Sequence, residues 1–240
     1  MAKPRTSYFW WVFGKVLYVL LGVGICAMTA FLVWRIYFSG LLPKEMKELV
    51  ANERLAEVYA EKGDALVLFT QEQSTHTRGD SNYGYFAVPR FVFIPEAEQV
   101  QVIFRYNNST LKYTQERYGL SERPPRGEEI FDVSLVTVTD LTPDTKEDNE
   151  DGSDTLGKTR IMPTGHTMTT TALYTYFCYT FDGVSVTDDL IAVFFDIYYE
   201  EDINYEKAAY GTLRLYHNES ENLYETISSA SKEALAAYGG

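Results

Sequence analysis

Residues 100–106 read Val-Gln-Val-Ile-Phe-Arg-Tyr. In an extended chain Val100, Val102, Phe104 and Tyr106 share one face while Gln101 and Arg105 share the other, which is the alternation of a half-buried antiparallel strand. The same period of two recurs on both sides of this stretch, in runs rich in Val, Ile, Phe, Tyr and Thr separated by Gly, Pro, Asn and Asp. It predicts strands over residues 65–71, 85–94, 99–106, 130–140, 159–162, 169–181, 189–199 and 210–217. In residues 173–181, LYTYFCYTF, both faces carry aromatics, so this strand is expected at the centre of a sheet with Phe177, Tyr179 and Phe181 turned inward.

Short strands without intervening helical patterns predict a mainly-β domain over residues 64–240. The expected form is an antiparallel β-sandwich in an immunoglobulin-like or C2-like layout, with a barrel as the alternative. At its end Asn218 stands three residues before Glu221, as in a capping box. Leu223, Tyr224, Ile227, Ala230, Ala234 and Leu235 follow at helical spacing, predicting a C-terminal amphipathic helix. A domain of this length buries enough surface to need no metal or disulfide.

Upstream of the strands the period lengthens to that of a helix. Residues 44–63, KEMKELVANERLAEVYAEKG, carry Met46, Leu49 and Val50 on one face and Leu55, Val58 and Tyr59 on another, with Asn52 as a new N-cap and Gly63 as a stop. Residues 35–63 therefore read as a helical stalk, broken at Asn52, whose apolar stripe is expected to pack on the domain that follows.

Before the stalk, residues 16–34, VLYVLLGVGICAMTAFLVW, contain neither a charge nor a proline. At about 1.5 Å per residue this run crosses a hydrocarbon core of about 30 Å. Tyr8, Phe9, Trp10, Trp11 and Phe13 precede it, and Trp34, Tyr37 and Phe38 follow, placing aromatic rings at both interfaces, with Lys15 and Arg35 closing the ends. The run exceeds a signal-peptide core and no small-residue cleavage pattern ends it. Ile25 stands before Cys26, where lipoprotein processing needs a small residue, so the segment is expected to remain as an anchor. Lys3, Arg5 and Lys15 before the span are matched by Arg35, Lys44 and Lys47 after it. The contrast between a first 35 residues with four basic and no acidic side chains and a remainder with 17 basic against 34 acidic favours residues 1–15 as a short cytoplasmic tail and an extracytoplasmic domain. The span itself offers Gly22, Cys26 and Ala30 as a mildly small face, but its glycines, Gly22 and Gly24, lie two apart rather than four.

Composition narrows the function. With 34 acidic against 21 basic residues and a net charge of -13, the chain lacks the excess of Lys and Arg that holds a phosphate backbone, so no nucleic acid is expected as a partner. Sixteen glycines and eight prolines without a triplet period exclude a collagen or linker protein, and two cysteines exclude a disulfide scaffold. Cys26 lies in the span and Cys178 in a strand, so they are not expected to pair, and Cys178 reads as a buried, inert thiol. An outer domain without a bridge points to a bacterial envelope. In a eukaryotic host Asn107, Asn108 and Asn218 would each head an N-x-S/T acceptor site.

Several motifs fail in context. Residues 152–159, GSDTLGKT, fit the phosphate-loop pattern, and residues 190–196 end in Asp196, where a magnesium-holding carboxylate would stand. Yet Asp148, Glu150, Asp151 and Asp154 would repel phosphate, and Pro163 argues against the required helix, so nucleotide is not expected as a ligand. Read as an EF-hand around Gly152, the loop offers Glu147, Asn149 and Asp151, but Lys158 occupies the position of the bidentate glutamate. Asp182, Asp188 and Asp189 form a looser candidate calcium site, although Asp182-Gly183 is equally a turn dipeptide. Arg78-Gly79-Asp80 reads as a plain turn. His76, His166 and His217 show no metal or triad spacing, and no G-x-S-x-G is present. Of the 19 tyrosines most alternate into strands, while Tyr83, Tyr85, Tyr198, Tyr199 and Tyr205 are the candidates for an exposed binding platform.

The residues thus predict a single-pass membrane protein presenting an acidic β domain. Its expected function is non-enzymatic binding or assembly at the cell envelope, with a protein or glycan ligand and no cofactor. The alternatives are a tethered enzyme using acidic residues, with or without calcium, and an accessory subunit whose span contacts other helices.

Overall fold

In a computed structural model of the chain, the described residues are 6–72, 86–140, 156–185, 190–199, 211–215, 223–225 and 227–238. Two compact units emerge, Met1–Leu41 and Leu42–Gly240.

The first unit is one helix, α1 (Thr6–Gly40), of 35 residues. No proline interrupts it, so every backbone group within it can bond inside the helix, as a lipid environment requires. The apolar run extends over 26 residues, Trp10–Arg35, and none of it is buried. At about 1.5 Å per residue those residues span about 39 Å, enough to cross a bilayer core. The Lys15 ammonium lies 3.9 Å from the Trp11 ring centroid, a cation–π contact at the end of the apolar run. Residues 35–40, assigned from sequence to the stalk, continue this helix.

The second unit begins with a 3-10 turn, Lys44–Lys47, and helix α2 (Glu53–Lys62). Asn52 is its N-cap, accepting from the Leu55 N–H at 2.9 Å, and Gly63 closes it at a φ of 57°, a left-handed value that favours glycine. The helical segment read as a stalk packs into the body of this unit. Leu49, Leu55 and Ala56 are buried with Val92, Ile94, Ala97, Ile227 and Leu235, and Met46 is buried with Ile103, Tyr176 and Cys178.

Among the described residues ten strands follow: β1 (Leu68–Glu72), β2 (Ala87–Ile94), β3 (Gln99–Asn107), β4 (Phe131–Asp140), β5 (Leu156–Ile161), β6 (Gly165–Thr170), β7 (Tyr174–Asp182), β8 (Leu190–Tyr199), β9 (Gly211–Leu215) and β10 (Leu223–Glu225). They form two antiparallel sheets, ordered β10-β1-β2-β3-β7-β6 and β5-β4-β8-β9. Val100, Val102, Phe104 and Tyr106 do share a face, and that face meets the smaller sheet. Phe104 has ring centroids of Phe86, Phe131 and Phe195 within 6.2 Å. Tyr179 and Phe181 reach Phe195 from the same side. One aromatic core therefore serves both sheets.

Four sequence expectations change. Residues 169–181 are not one strand: β6 and β7 form a hairpin turned at Ala172-Leu173, where the Thr171 N–H donates to the Tyr174 carbonyl at 2.8 Å. Residues 223–225 are strand rather than helix, because they pair with β1, and helix α4 (Ser229–Tyr238) starts later. The predicted cap at Asn218 and Glu221 lies outside the described residues. Although no helical pattern was expected between the strands, residues 108–118 form helix α3 (Asn108–Tyr118), with Asn107 as N-cap accepting from Ser109 and Thr110. Finally, Tyr198 and Tyr199 are buried, not exposed. Their strand β8 lies between β4 and β9, and Tyr199 packs 4.7 Å from the Tyr118 ring.

Candidate functional site

The candidate calcium ligand Asp182 ends strand β7, and its carboxylate is already the hub of a hydrogen-bond network. Gln99 Nε2 donates to Oδ1 at 2.7 Å, Thr164 Oγ1 donates to Oδ2 at 2.6 Å, and Asn52 Nδ2 reaches both oxygens at 3.2–3.3 Å. A cation bound there would have to displace these donors. Asp188 and Asp189 lie outside the described residues, as do Tyr83, Tyr85, Tyr205 and Arg78-Gly79-Asp80. Among the described residues no group of three or more His, Cys, Asp or Glu side chains could hold a metal ion.

The network continues along the face of the larger sheet that α2 covers. Gln101 accepts from the Val50 N–H at 2.9 Å and donates to the Val50 carbonyl at 2.8 Å and to Gln99 at 2.8 Å, while Arg90 donates to the Lys47 carbonyl at 2.8 Å. Buried amides on a sheet must be satisfied, and here a crossing strap, residues 47–52, satisfies them. The same strap meets the C-terminal helix. Ser228 and Ser231 both donate to Glu48, and the Ser228 hydrogen bond holds that carboxyl below its ordinary range. Asp182 and Glu48 thus serve the fold, joining the first residues of this unit to its sheet and to its last helix.

The described part of the phosphate-loop pattern, Gly157-Lys158-Thr159, lies on strand β5, paired with Val138 and Thr137 of β4 rather than at a helix N-terminus. Asp196 lies on strand β8, opposite Ser134 of β4. Arg160 donates to Tyr198 at 2.7 Å and to Ser134 at 2.8 Å and stands 4.0 Å from Asp196, which also accepts from Tyr198 at 3.2 Å. This is a closed structural cluster. Cys178 is likewise closed off: burial pushes its thiol up to about 12, so at neutral pH it carries almost no thiolate.

The two sheets end in four strands, and their edges differ. Strand β5 carries Lys158 and Arg160, β9 carries Arg214, and β10 has only three residues, one of them Glu225. Charge and brevity are the usual protection of an exposed edge. Strand β6, GHTMTT, has neither, and it has no proline within it. All its residues are exposed except the half-buried Thr169, and the described residues place no strand beyond it.

The direction of its backbone groups follows from the hairpin. Because the Thr171 N–H donates to the Tyr174 carbonyl directly opposite, the backbone groups of Thr169 and Thr167 also face β7, and His166, Met168 and Thr170 turn their N–H and C=O groups outward. The strand is firmly held on its inner side. Arg126 grips the Thr171 carbonyl, and the Ala172 carbonyl at 3.0 Å, while His166 Nε2 stands 3.4 Å from Glu129 and its ring lies 5.6 Å from that of Tyr179. Burial, with the Glu129 carboxylate second, pushes the Tyr179 hydroxyl upward, so it stays protonated as a donor to Glu129.

No protein-family model, curated protein or solved structure matches the chain. The sequence reading overlooked β6 because its residues alternate no hydrophobic side. The signal available was charge: residues 155–181 contain no Asp or Glu in a chain that has 34.

Proposed function

We propose that this chain is a single-pass membrane protein of the cell envelope, with its N-terminus in the cytoplasm. Its second unit then acts outside as a non-enzymatic binding or assembly module, a β-sandwich in an immunoglobulin-like or C2-like arrangement. The observation that carries this reading is α1, a 26-residue apolar run with no buried side chain and aromatic residues at both ends. In water such a surface is costly, whereas in a bilayer it is the stable arrangement. The aromatic core shared by the sheets and the uncharged β6 edge support the second part: a stable scaffold with one strand available for contact.

Topology is tested with single cysteines. Ala2→Cys and Ser121→Cys, each in a Cys26→Ala background with Cys178 silent in the core, are treated with a membrane-impermeant maleimide on intact cells. Labelling at position 121 only, with position 2 reacting after permeabilisation, is the expected result. The reverse pattern overturns the orientation, and extraction of the full chain by alkaline carbonate without detergent overturns the anchor. For the binding reading, the detergent-solubilised chain immobilised through its N-terminus is expected to retain envelope protein or glycan. A purified hydrolase or transferase activity that copurifies with the chain would replace that reading.

A further inference from the structure

We infer that strand β6 is a homotypic pairing edge, at which a second copy of this chain adds its own β6 antiparallel and joins the two larger sheets into one. The inference rests on the assembly reading above and names the partner.

Three observations select a second copy. The outward backbone groups belong to His166, Met168 and Thr170, which are symmetric about Met168. A two-fold axis there pairs Met168 with Met168 of the second copy and His166 with its Thr170, so every outward N–H meets an outward C=O. The side chains agree with that register, since Thr167 falls opposite Thr169 and no like charges are opposed. Charge is the third argument. Two bodies of net charge -13 repel each other, which favours contact along an edge that carries no carboxylate of its own, and β6 carries none. The strand is also held in its pairing conformation before contact by Arg126 and the hairpin, which lowers the ordering cost of association.

The proposed register makes a distance prediction. In the hydrogen-bonded Met168 pair the Cα atoms would lie about 5.5 Å apart, and in the Thr167–Thr169 pair about 4.5 Å, both within disulfide reach. Two copies of Thr167 would be diagonal neighbours at about 7–8 Å, beyond it. The full chain, in its membrane and in a Cys26→Ala background, is oxidised as Met168→Cys, as Thr167→Cys, and as a co-expressed mixture of Thr167→Cys and Thr169→Cys. Covalent dimer from the first and third, at least severalfold above the second, is expected. Adding Met168→Lys to the mixture, which sets two ammonium groups face to face, is expected to remove most of the cross-link.

Equal cross-linking of all three samples, as from random collision, overturns the pairing, as does an absence of dimer in all of them. A larger band containing a different protein on Met168→Cys, with no homodimer, also overturns it and assigns the edge to an extended segment of another chain. Carbonate fractionation of the same samples separates the two readings. Chain that stays in the membrane pellet without cross-linking rejects the pairing alone, and chain that appears in the soluble fraction rejects the anchor whatever the cross-linking shows.

Discussion

Asn52 satisfies two parts of the fold from one side chain: its oxygen caps α2 at Leu55, and its amide donates to Asp182 across the strap. Substitution by alanine removes both. An N-cap is worth about 1 kcal/mol and a hydrogen bond to a charged acceptor about as much again, so Asn52→Ala is expected to lower stability by roughly 2 kcal/mol. Asn52→Asp keeps a capping oxygen but sets a second carboxylate against Asp182, and should be no better than alanine despite preserving the cap. Urea denaturation followed by tyrosine and tryptophan fluorescence, in detergent, reads both changes. If Asn52→Asp matched the parent, the contact with Asp182 would carry no weight. The cap was legible in the sequence because it is local, an asparagine before a helical period and a glycine eleven residues on. The tie to Asp182 spans 130 residues and was not, so the same aspartate read from its neighbours alone resembles a turn former or a metal ligand.

At the level of elements, legibility follows the range of the interactions that decide each one. Strands β2, β3, β4 and β8 declare themselves through segments rich in β-branched and aromatic residues. Strand β10 does not: Leu223, Tyr224 and Ile227 suit a helix equally well, and only pairing with β1 makes the first two extended. Helix α3 was hidden because its buried stripe includes Thr110 and Thr114 beside Leu111, which weakens the apolar period. The β6–β7 turn has no glycine or proline and is built instead by Thr171 Oγ1, which accepts from the Tyr174 N–H at 3.2 Å. Helix α4 depends on its first turn in the same nonlocal way. Ser228 caps it, accepting from the Ser231 N–H at 3.1 Å, and the Glu48 carboxylate sits at this N-terminus, where negative charge is favoured. A carboxyl held below its unfolded value contributes stability that is fully present above about pH 4.3 and is lost as pH falls through the lower native value. Glu48→Gln is therefore expected to cost roughly 0.5–1 kcal/mol at pH 7, a figure reduced for its partial exposure, and to flatten the acid limb of stability below pH about 4. Thermal unfolding from pH 3 to pH 7 measures both, and parallel curves for parent and variant would remove Glu48 from the acid response.

Over the whole molecule the proposed anchor and the β-rich unit would answer to different solvents, and this gives them separable stabilities. In the second unit both sheets contribute rings to one core, with Phe104 and Phe195 5.8 Å apart and Phe104 fully buried, so the facing sides of the two sheets are covered by each other. Loss of either exposes the inner face of the other, and the ten strands are expected to unfold together in one transition. The apolar run of α1 has no buried side chain, and in detergent or lipid its backbone hydrogen bonds would be protected by that surrounding. Urea titration of the full chain in micelles should therefore remove the β signal and the near-ultraviolet aromatic signal at one midpoint, while a helical far-ultraviolet signal persists beyond it. Phe104→Ala deletes a ring touching both sheets and should cost about 3–5 kcal/mol, moving that midpoint sharply downward and leaving the residual helix unchanged. Two resolved β transitions would show that the sheets are independent. A residual signal that falls with Phe104→Ala would show that α1 draws on the body for its stability.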